Sequence, residues 1–160
     1  CIIKDIANNF IKYNSDTLFG DLVYVDPDRG DKVIRYWKSG DFNYKNIKKG
    51  WMLPHPTFFV KKKIYDKHGL YSEKLKSAAD YEMMIRLLYK HRCSVSYLPK
   101  VLVNMRNGGY SNQSFWNRLR GNNEDVIAWR LNGLNPPRFL RLLKPLLKVQ
   151  QFIKYPDSNE

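Results

Sequence analysis

Asp80 and Glu82 are the acids best placed to do chemistry. They stand in Lys76-Ser77-Ala78-Ala79-Asp80-Tyr81-Glu82-Met83-Met84-Ile85-Arg86-Leu87-Leu88, where a polar stretch gives way to an amphipathic run. Met83, Met84, Leu87 and Leu88 recur at helical spacing, which predicts a helix over 80–91 with one buried face. A carboxylate in the first turn of such a helix is anchored by the apolar stripe behind it. Its oxygens point past the helix end, which suits a general base. The same acids also suit a purely structural task. Ser77 with Asp80 has the spacing of a capping box, and first-turn acids favour the helix dipole. Glu82 lies two residues on, on another face, and is the weaker base. Arg86, far round the helix from Asp80, reads as a solvated or ion-paired arginine.

Two further segments hold polar groups in restrained settings. In Leu53-Pro54-His55-Pro56-Thr57 the flanking prolines stiffen the chain around an imidazole. His55 is either a site residue or a structural histidine bonded to backbone. Gly108-Gly109-Tyr110-Ser111 can form a nest of backbone N–H groups for an anion, with Arg106 just before it, or an ordinary turn. Asp26-Pro27-Asp28 has an Asp-x-Asp pattern, but Pro27, Asp28 and Gly30 are turn formers and the segment reads as a turn.

The elements that must position these residues follow from periodicity and breakers. Ile2, Ile3, Ile6 and Phe10 predict a helix over 1–13. Strands are expected over 17–25 and 32–37, a surface loop over 40–51, a short strand over 57–60, and a helix over 62–68 stopped by Gly69. Residues 94–98 and 101–105 read as strands, with Pro99 restricted to an edge or a bulge. A helix over 112–132 ends at Gly133, and Pro136 and Pro137 separate a last helix over about 138–154.

Those elements in that order carry a resemblance. Phe19-Gly20-Asp21-Leu22-Val23-Tyr24-Val25-Asp26, His55-Pro56-Thr57-Phe58-Phe59-Val60, Tyr65-Asp66-Lys67-His68-Gly69-Leu70-Tyr71, Ala79-Asp80-Tyr81-Glu82 and Asn107-Gly108-Gly109-Tyr110-Ser111 follow one another. Their order and spacing resemble the second half of an inverting family 2 glycosyltransferase of GT-A fold, over about residues 1–135. Such enzymes commonly build bacterial surface polysaccharides. The resemblance implies an α/β chain: the C-terminal part of a GT-A fold, a mixed sheet with flanking helices. It implies Asp80 as catalytic base, with Ala79 where the family is often acidic. It also implies His55, Asp21, Gly108, Gly109 and Ser111 around the donor and acceptor. The donor is a nucleotide sugar, the acceptor a polysaccharide or lipid-linked glycan. The family's nucleotide-binding half and its Asp-x-Asp motif have no counterpart here. A divalent metal, Mn or Mg, is therefore expected only in a complete enzyme, and this portion is expected to be inactive alone. The processive Gln-x-x-Arg-Trp motif is lacking too: Gln113-Ser114-Phe115-Trp116 has no Arg-Trp pair, which favours addition of single sugars.

Composition sets the remaining bounds. The chain has 160 residues and is 43% hydrophobic and 14% aromatic, enough for one ordered core. No apolar run approaches the roughly 20 residues that cross a bilayer. Cys1 and Cys93 show no metal-ligand spacing and no disulfide framework, which fits a reducing cytoplasm. Twenty-eight Lys and Arg against 15 Asp and Glu give a net charge of +13, which calls for an anionic partner. Residues 130–154 contain no acid at all. Residues 136–160 are therefore expected to form a separate basic amphipathic helix and tail beside the 1–135 domain, with Pro145 as a kink. That helix suits the anionic inner face of a membrane, or packing on protein. A basic nucleic-acid-binding or membrane-surface binding module without catalysis is the competing class; nucleic acid is the less expected partner because no recognised motif for it is present.

Overall fold

The structure, a computed structural model, describes residues 1–30, 32–106, 115–138 and 140, with side chains left aside over 115–122. Strand β1 (Thr17–Val25) is buried at every residue but Tyr24, so it forms the middle of the sheet. Strand β4 (Val95–Arg106) runs parallel to it along one edge. On the other edge β2 (Val33–Trp37) and β3 (Phe59–Val60) pair antiparallel with its two ends, β3 against Thr17 and Leu18 and β2 against 22–25. The protein is thus α/β, with a mixed open sheet flanked by helices.

Alternation along β1 divides the core between the two faces of the sheet. Leu18 packs with Leu102 and with Ile6 of helix α1 (Ile2–Tyr13). Phe19 joins the larger cluster, which holds Tyr81, Met84, Ile85, Leu88, Ala128, Trp129 and Leu140. Phe19 and Leu140 apart, these residues come from helix α4 (Ala79–Met84), the π-helical turns Ile85–Lys90 that continue it, and helix α5 (Phe115–Leu131). Met83 and Leu87 turn the other way, onto Cys93 and onto Ile64 of helix α3 (Lys62–His68). The apolar stripe expected over 80–91 is therefore buried on two sides, and the helix widens to π geometry halfway.

Pro99 sits where β4 bulges: Gly20 pairs with Leu98 and Asp21 with Val101, so Pro99 and Lys100 are skipped. The bulge needs Gly20. A Cβ there would stand 2.6 Å from Leu102 Cδ1 and 2.9 Å from the Lys100 carbonyl oxygen. Gly69 and Gly133 end their helices at φ 89° and 70°, as their sequence positions imply.

Residues 40–51, expected as a surface loop, are exposed at Asp41, Asn43, Lys45, Lys48 and Lys49 but are not irregular throughout. They hold a helical turn, α2 (Tyr44–Ile47), capped by the Asn43 side chain, and Ile47 is buried in the main core with Phe42 and Trp51 against it. A four-residue helix is too short to imprint a period, and its apolar residues are spaced by the turns around it.

Candidate functional site

Asp80 is the second residue of α4, and the local chain is built to hold its N-terminal turn still. The capping box does not form. Ala78 takes the N-cap position without a side-chain bond. Glu124, from α5, serves the turn instead. Its Oε2 accepts the Ser77 N–H at 2.7 Å, the Ala78 N–H at 3.1 Å and the Ser77 hydroxyl at 2.9 Å. An ionised acceptor reaching three donors outcompetes a local cap. Burial raises the Glu124 carboxyl, but these bonds outweigh it and hold the group below its ordinary value.

Freed from capping, Asp80 is left to its own surroundings. Its Oδ1 accepts the Tyr81 N–H at 2.8 Å, and its Oδ2 lies 3.1 Å from His55 Nδ1. The side chains are 25% and 48% exposed respectively, so both reach solvent. His55 opens a 3₁₀ turn (His55–Thr57) that is bolted to the sheet. The buried Thr57 hydroxyl lies 2.8 Å from the Pro54 carbonyl and 3.0 Å from that of Gly20, and accepts the Gly20 N–H at 3.3 Å. Two stiff mounts thus bring a carboxylate and an imidazole together from positions 25 residues apart in the chain.

Polar ties behind the pair fix α4 against its neighbours. Glu82 is buried and accepts Arg86 Nε–H at 3.0 Å and Asn132 Nδ2–H at 3.0 Å. Arg86 in turn donates to the carbonyls of His68, Gly69 and Leu70. It is ion-paired and largely covered rather than solvated. The segment it holds leads to Tyr71, whose hydroxyl is pushed up to about 12 by burial, by Tyr65 and by the Asp80 charge. Trp129 Nε1–H donates to the Tyr81 hydroxyl at 3.1 Å, tying α5 to α4 beside the site.

Asp21 has a different setting. It is 2% exposed, and its oxygens accept the Tyr36 hydroxyl, the Ser39 N–H and the Tyr97 hydroxyl, each at 2.8 Å. Burial, with the Asp21 carboxylate adding to it, raises the Tyr97 hydroxyl and keeps it a donor. These bonds lead to β2, the segment after it and β4, not to Asp80 or His55. Gly108, Gly109 and Ser111 lie outside the described residues, as does the basic segment beyond Leu140.

Sequence reasoning missed Glu124 and Tyr71. Glu124 left one trace: Glu124-Asp125 is an adjacent acid pair in a strongly basic chain, and both acids are buried. Tyr71 stood at the end of the Tyr65–Tyr71 motif without being singled out.

Among the described residues no helix is long and apolar enough to cross a membrane. Among them, too, no three His, Cys, Asp or Glu side chains converge as metal ligands. Compared with protein-family models and with curated proteins, the chain matches none.

Proposed function

We propose that this chain is the acceptor-side portion of an inverting glycosyltransferase of GT-A type, with Asp80 as the general base. The observation that carries the reading is the Asp80–His55 pair: a carboxylate with one oxygen held by backbone, the other beside an imidazole, both open to solvent. Supporting it are the resemblance in motif order and the fixed turn beneath Asp80. In the transfer, an acceptor hydroxyl attacks the sugar's anomeric carbon opposite the nucleoside diphosphate. The new C–O bond forms as the bond to the diphosphate breaks and its electron pair leaves with the phosphate. Asp80 takes the hydroxyl proton as attack proceeds. His55 holds the carboxylate in place through Nδ1 and keeps Nε2 for a substrate hydroxyl.

The divalent metal that the resemblance implies has no ligand set among the described residues. Asp21 is buried and accepts three donors, and Asp26 Oδ1 accepts the N–H groups of Asp28 and Arg29 in a turn. The reading is tested by incubating the full-length protein with a panel of nucleotide sugars and glycolipid acceptors. Acceptor-dependent release of nucleoside diphosphate supports it, and release that never depends on an acceptor contradicts it.

A further inference from the structure

Three cation–ring contacts meet where α2 packs against the end of the π-helical segment. Arg92 Cζ lies 4.5 Å from the Tyr44 ring centre and 5.1 Å from that of Tyr89, and Lys48 Nζ lies 5.8 Å from the Tyr89 ring. The Tyr44 hydroxyl reaches the Cys93 carbonyl at 3.5 Å and joins the two elements. Around them Lys45, Lys49 and Lys90 are exposed. Residues 42–51 and 83–95 contain no acid, and none of the five cations pairs with a carboxylate among the described residues. Arg92 also sits at φ 52°, a conformation that glycine adopts most cheaply. An arginine kept there, with its guanidinium laid on two rings, points to a use for the charge beyond the turn.

We propose that this face, Tyr44, Lys45, Lys48, Lys49, Lys90 and Arg92, docks on the phosphate headgroups of an anionic lipid surface. The arrangement favours a lipid surface over the alternatives. Nucleic acid would need free ring faces for stacking, whereas Tyr44 and Tyr89 are half-buried, carry cations, and meet Phe42 and Trp129 in edge contacts. A free phosphate would need donors converging in a recess, whereas the adjoining recess is lined by Phe42, Ile47, Trp51, Leu53 and Met84 and is apolar. Exposed cations spread over two elements suit a surface that supplies many phosphates at once. The inference is independent of the glycosyltransferase reading.

The test is co-sedimentation of the full chain with zwitterionic vesicles and with vesicles containing phosphatidylglycerol. Binding is expected only to the latter and to weaken with salt. R92G/K48Q should bind about 25-fold more weakly, about fivefold for each cation removed. Gly relieves the positive φ, so the fold is kept and a melt measured in parallel verifies it. If that variant melts early, K45Q/K49Q, altered at exposed lysines without ring contacts, should show the same loss. The segment beyond Leu140 is unchanged throughout, so its own attraction to lipid cancels. Vesicle binding equal to wild type in a folded variant overturns the proposal. So does displacement by inorganic pyrophosphate beyond that by chloride at equal ionic strength, or tighter binding to single-stranded nucleic acid that these substitutions abolish.

Discussion

Asp80 divides its two oxygens between backbone and imidazole, and Glu124 is what lets it do so. By taking the Ser77 and Ala78 amides, Glu124 relieves Asp80 of the capping task. The energetic role of Glu124 has a pH signature. Its folded-state pKa is depressed below 4.5, burial opposing and hydrogen bonds prevailing. Its contribution is therefore complete above the unfolded value and lost as pH falls through the folded one. Glu124→Gln should destabilise the protein by about 1–2 kcal/mol near neutrality. Denaturant melts should show the gap to wild type closing below about pH 4; a gap of constant size would mean that the carboxylate charge is not what holds the turn.

Among the elements, those with long period or strong breakers were legible from sequence: α1, β1, β2, α3 and the Gly133 stop stand where they were expected. The 40–51 segment was not, because its core contacts through Ile47, Phe42 and Trp51 follow no repeat. The cap on α4 was misread for a related reason. Its acceptor comes from α5, more than 40 residues along the chain, and spacing reveals only local partners. At the site, Asp80 and His55 were legible as residue types on stiff mounts, and their contact was not, since tertiary packing alone creates it. The sheet supplies the rigidity behind both mounts, and its tightest point is Gly20. Gly20→Ala should cost about 1–3 kcal/mol, because the Lys100 carbonyl is backbone and yields little. Thermal melts would register this as a lower Tm; an unchanged Tm would mean that the bulge at Pro99 shifts without strain.

For the molecule as a whole, one core joins the sheet, α4, α5 and the chain as far as Leu140, which is 2% exposed beside Trp129 and Tyr81. Leu140→Ala should therefore lose about 2–5 kcal/mol, read as a fall in the denaturation midpoint; a loss near zero would detach that residue from the core. The proposed lipid-facing patch around Arg92 draws on the net charge of +13. Asp80→Asn keeps the side chain's size and an oxygen for the Tyr81 N–H, so the fold should persist while proton removal fails. In the full-length protein, acceptor-dependent release of nucleoside diphosphate from its nucleotide sugar should fall about 10²-fold or more, with Tm unchanged. Turnover within a few-fold of wild type would contradict the account.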